Sequence, residues 1–146
     1  MDFRWLGRWC SFVVWISPTH KTRIIVAYSP GKGKPQGLST VYQQTLTYIQ
    51  ENDLDGTNPR KLFEDDLHAA LRTWKSAGER LLLFIDVNEH MTAGTFMRQL
   101  ANDSMIDLTE ETHHHWDKVP PHTFINGAGT LLGYAAQIVQ RLKTMS

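Results

Sequence analysis

The sequence predicts a layered α/β fold, with helices packed on a sheet. Three observations carry this. Two apolar stretches, Trp9 to Ile16 and Thr22 to Tyr28, are joined by a short segment containing Pro18. Phe63, Leu67, Ala70, Leu71 and Trp74 recur at the spacing of an amphipathic helix. Leu81 to Ile85 is an unbroken apolar run that stops at Asp86, as a buried strand feeding a polar loop does.

Trp9 to Ile16 is aromatic and β-branched and reads as a strand. Ser17 to Lys21 reads as its turn, so the next run, Ile24-Ile25-Val26-Ala27, completes a β-hairpin. Both strands are apolar on both faces and are expected inside a sheet covered on each side. Ser29 to Gly37 holds two prolines and three glycines and is a loop. Leu38, Tyr42, Leu46 and Ile49 then follow at helical spacing, with Ser39 as the expected cap. Asn58-Pro59 opens the second helix as cap and first-turn proline, and Gly78 closes it. After Asp86, a short helix is expected over Ala93 to Ala101, with Met97, Leu100 and Ala101 inward. Met105 to Leu108 and Thr123-Phe124-Ile125 are short apolar pieces. Leu131 to Leu142 fits strand or helix equally.

The chain has 146 residues, enough to bury a core without staples. Fifteen basic and 15 acidic side chains balance to zero. That excludes a globally basic nucleic-acid glove but not a local basic patch. Cys10 is the single cysteine, which excludes an intrachain disulfide framework and a cysteine-built zinc site. The expected compartment is reducing and intracellular. No stretch approaches the roughly 20 apolar residues of a membrane span, so no membrane partner is expected. Arg4 and Arg8 precede an apolar run in the manner of a signal peptide, but no small-residue cleavage pattern follows.

The chemistry points to the strand ends. Ile85-Asp86-Val87-Asn88 delivers a carboxylate where a buried strand stops, with a carboxamide two residues on. Ligands of α/β proteins gather at such ends. A carboxylate there orients a water or holds a cation, and an amide donates to a phosphate oxygen. Tyr28-Ser29-Pro30 ends another buried strand with a phenol able to reach a phosphate.

Tyr28-Ser29-Pro30 and Ile85-Asp86-Val87-Asn88, in that order, resemble the endonuclease/exonuclease/phosphatase superfamily. Pro121-His122-Thr123-Phe124 resembles that family's Thr-Phe or Thr-Trp strand. The text from Asn58-Pro59-Arg60 through Asn88-Glu89-His90 looks most like versions found beside reverse transcriptases in retroelement-derived proteins. The resemblance spans residues 8–134 and leaves 135–146 as a divergent tail. It implies a partial two-sheet α/β sandwich whose ancestral reaction is Mg²⁺-dependent hydrolysis of nucleic-acid phosphodiester bonds. By resemblance, Asp86 orients or activates the attacking water. Asn88 contacts the phosphate and helps place the nucleophile, and Tyr28 contacts the phosphate and stabilises developing charge. Such chemistry is positioning plus electrostatic stabilisation.

The departures are equally informative. The family's N-terminal half carries an asparagine and a metal-binding glutamate on strands before the hairpin, and the chain is expected to lack both. The family closes on Ser-Asp-His, yet no His or Asp follows Tyr134. Leu132 stands where the aspartate that orients this histidine belongs. Little or no hydrolysis by the isolated chain is the expectation. Its alternative role is a non-catalytic module binding nucleic acid, or a protein partner through an exposed sheet edge. Lys32 and Lys34 are candidate non-specific phosphate contacts. His113-His114-His115, with His90, His122 and Asp117, lacks zinc-site spacing and reads as a polar loop. The tryptophans are expected in the core, except Trp5 and Trp9, which are expected to form an exposed apolar patch.

Overall fold

The computed structural model describes residues 4–31, 39–87, 95–108, 111, 115–116, 124–125, 131–132 and 135–140. β1 (Trp9–Ser17) and β2 (His20–Tyr28) form the expected hairpin, with Trp9 opposite Ala27 and Phe12 opposite Ile24. Ile16 is an extra residue in the ladder. This bulge lets Ser17 pair with His20, so the connection shrinks from five residues to Pro18-Thr19.

α1 (Val41–Glu51) starts at Thr40 rather than Ser39, because the Thr40 hydroxyl accepts the Gln43 amide at 3.2 Å. α2 (Pro59–Ser76) is capped by Asn58, whose side chain accepts from the Lys61 amide at 3.0 Å. Gly78 follows its end at φ +74°, a conformation that costs glycine little. β3 (Arg80–Asp86) comes next, then α3 (Thr95–Asn102) and β4 (Met105–Asp107). α3 turns Phe96 and Leu100 inward, while Ala101, expected inside, is exposed. β5 (Phe124–Ile125) and β6 (Leu131–Leu132) pair in a small sheet of their own. β7 (Ala135–Gln140) resolves the ambiguous last segment as a strand, so residues read as a tail enter the main sheet.

The main sheet has the order β1-β2-β3-β7-β4. β2 and β3 are parallel, which requires a long crossover, and α1 and α2 supply it. One face of this pair is covered. Ile25, Leu83 and Val87 are fully buried there, with Phe63, Leu67 and Phe96 of the helices over them. Trp9 joins this core at 3% exposure and meets Phe63 edge to face at 5.9 Å. Its expected place in an exposed patch is therefore corrected, while Trp5 is exposed.

The other face corrects a larger expectation. Phe12, Val26 and Tyr28 alternate with the buried residues and are 53%, 48% and 46% exposed. The strands are apolar on both faces, but the described residues cover one. Trp15, on the end strand β1, and Trp116 also lie outside the core.

Candidate functional site

Parallel pairing in register sets Tyr28 directly opposite Asp86, at the C-terminal ends of β2 and β3. Neighbouring strands lie about 4.8 Å apart, so the two residues are adjacent across the ladder. The backbone then turns inward. The Ser29 amide donates to the Asp86 carbonyl at 2.9 Å, and Ser29 and Val87 are both buried. Tyr28 is left on the open face, and Asp86, half-buried, shares that face by strand alternation. A phenol that donates thus stands beside a carboxylate that accepts.

This strand end is anchored from the helix layer. The Tyr28 amide donates to the Arg8 carbonyl at 2.9 Å. Arg8 is fully buried, and its Nη2 donates to Asp66 Oδ2 at 2.8 Å. Arg4 Nε donates to the same oxygen at 2.6 Å, and Arg4 Nη1 donates to the Tyr48 hydroxyl at 2.9 Å. The hydrogen bond to Asp66 is the main reason the Arg4 guanidinium is held still further above its ordinary pKa. Asp66 therefore ties the segment before β1 to α2. Sequence reasoning missed this cluster, since Arg8 and Asp66 are 58 positions apart and no local pattern joins them.

A second cluster fixes the opposite end of the strand pair. Arg23 Nε donates to Glu79 Oε2 at 2.5 Å, and Lys21 reaches Glu79 Oε1 at 3.0 Å. Hydrogen bonding from Arg23, followed by Lys21, holds the buried Glu79 carboxyl below the usual range against the cost of burial. The Arg23 guanidinium also lies 4.5 Å over the Trp74 ring. Glu79, the residue before β3, is thereby tied to Arg23 and Lys21 of β2 at the start of the parallel pair.

Beside Tyr28 a cleft of about 380 Å³ opens, lined by Trp5, Arg8, Trp9, Cys10 and Val26. On the helix layer, a polar cavity of about 320 Å³ lies between α2 and α3. There His68 Nδ1 and Asp103 Oδ2 are 3.1 Å apart.

The other sequence candidates fall elsewhere. Asn88, Lys32 and Lys34 lie outside the described residues, as do Glu89, His90, His113, His114, Asp117 and His122. His115 is described and exposed. The Mg²⁺ implied by resemblance asks for oxygen donors converging on one point. Among the described carboxylates, Glu79 belongs to the far end of β3 and Asp66 to the arginines. The ladder places Asp107 opposite Ile138, level with Leu83 rather than Asp86. Among the described residues no group of three or more His, Cys, Asp or Glu is placed to hold a metal ion. Asp86 offers one carboxylate to such a site, and its neighbours Asn88 and Glu89 lie outside the described residues, so the chemistry considered next rests on Asp86 and Tyr28. Among the described residues no helix is long and apolar enough to cross a membrane. Comparisons with protein-family models, curated proteins and solved structures find no match for the chain.

Proposed function

We propose that the chain is a partial member of the endonuclease/exonuclease/phosphatase superfamily. Its ancestral reaction is metal-dependent hydrolysis of nucleic-acid phosphodiester bonds, and the isolated chain does not carry it out. The observation that supports this most is Tyr28 in register with Asp86 at the ends of adjacent parallel strands. The open apolar face supports the fold half of the proposal. In a two-sheet sandwich the second sheet packs about 10 Å above such a face. Asp86 accepts a hydrogen bond from water at a strand end, and Tyr28 donates one to a phosphate oxygen. Asn88 is proposed to add an amide donor, and Lys32 and Lys34 non-specific phosphate contacts.

A second reading is a non-catalytic module that binds nucleic acid or protein. The observation favouring it is the half-exposed Phe12 and Val26 on a face with no described cover.

One experiment separates them. Labelled single- and double-stranded oligonucleotides are incubated with the full chain and with Asp86→Ala, in Mg²⁺, while amide resonances are followed. The proposal expects no cleavage by either protein and oligonucleotide-dependent shifts centred on Tyr28 and Asp86. Cleavage that Asp86→Ala abolishes would show that the isolated chain is active. Shifts confined to Phe12 and Val26, or none, would remove the phosphate-handling role.

A further inference from the structure

β1 ends the main sheet, and among the described residues no strand pairs with its outer edge. The Tyr28 amide bonds to the Arg8 carbonyl, so the even-numbered residues of β1 direct their backbone groups toward β2. By alternation, Ser11, Val13 and Trp15 direct N–H and C=O outward, at the sheet's free edge. Natural edges are commonly blunted by lysine, proline or inward charge. The nine residues Trp9–Ser17 contain no charged residue and no proline. The bulge at Ile16 comes only at the strand's end.

We infer that this edge pairs antiparallel with β1 of a second copy of the chain, joining two main sheets into one. Two observations favour a second copy over a charged partner, and a third supplies apolar area to bury. A two-fold pairing places each strand against itself, which penalises any charge it carries, and β1 carries none. The chain's formal charge is zero, so two copies meet without long-range repulsion. Large apolar side chains flank the edge. Phe12 on the open face is 53% exposed, and Trp15 and Ile16 are each 65% exposed.

The contact is modest. Covering a half-exposed aromatic removes on the order of 100 Å² from water. With the backbone edge this gives roughly 400 Å² per copy, about 800 Å² in total, which is below the size of a stable interface and in the range of weak, transient association. A weak dimer, populated at the high end of a concentration series, is expected.

Sedimentation of the full chain over a concentration series tests this. The mass should rise from 16.7 kDa toward twice that value. Two variants locate the contact. Trp15→Pro removes an outward N–H, a place where an edge strand tolerates proline. Phe12→Lys places like charges across the two-fold axis. Each should weaken dimerisation at least tenfold, with circular dichroism and thermal midpoint close to those of the parent. A monomer at every concentration would overturn the inference, as would a dimer that both variants leave intact. A dimer broken by Phe12→Lys but unaffected by Trp15→Pro would place the contact on the sheet face and overturn edge pairing.

Discussion

Ile25 and Val26 are neighbours on β2, yet Ile25 is fully buried and Val26 is about half exposed. The same holds across the sheet, where Trp9 packs under Phe63 and Phe12 faces water. Both faces are built from the same kinds of residue, and what separates them is cover. Apolar character on two faces therefore says that a strand can be buried twice, not that both covers lie among the described residues.

The sharpest way to break this comparison is through the helix-covered side. Asp66→Ala leaves the fully buried Arg8 without that carboxylate and should cost about 3–5 kcal/mol by urea unfolding. Leu83→Ala opens a cavity beneath the helices and should cost about 3 kcal/mol. Glu79→Gln is expected to cost about 1–2 kcal/mol at neutral pH, because a carboxamide has one acceptor oxygen, so Arg23 keeps only one of its two bonds and loses the opposing charge. Its pH signature is defined. The Glu79 pKa is lowered in the folded state, so its stabilisation is complete above the ordinary glutamate value of about 4.3. That stabilisation is lost as pH falls through the lowered value. The gap between parent and Glu79→Gln should therefore close in acid, which urea midpoints across a pH series would read. On the uncovered side, Val26→Ser should change stability by less than about 0.5 kcal/mol. A loss above about 2 kcal/mol there would mean that the face is covered in solution.

Much of the covered side was legible beforehand because its signals are local. Asn58-Pro59, the stripe from Phe63 to Leu71 and the run ending at Asp86 each lie within one element. Tyr28 and Asp86 stood out as strand-end residues for the same reason. Their direct opposition did not, since parallel register is a long-range property with no neighbour-to-neighbour trace. The salt-bridged cluster of Arg4, Arg8 and Asp66 was hidden likewise, and its arginines read locally as charges before an apolar run. β7 escaped because six residues from Ala135 to Gln140 satisfy either period, and its partners β3 and β4 decide the matter.

The parallel pairing of β2 with β3 also sets an order of events for the folding chain. The β1–β2 hairpin closes across two residues, whereas β3 arrives only after both intervening helices. Hairpins form in about 1–10 µs, and non-local pairings wait on the entropy of closing a long loop. During that interval the uncharged β1 and the apolar Ile24–Ala27 stretch of β2 are presented on both faces and at a free edge. Refolding yield is therefore expected to fall as chain concentration rises, with losses set by the lifetime of the lone hairpin rather than by the stability of the finished sheet.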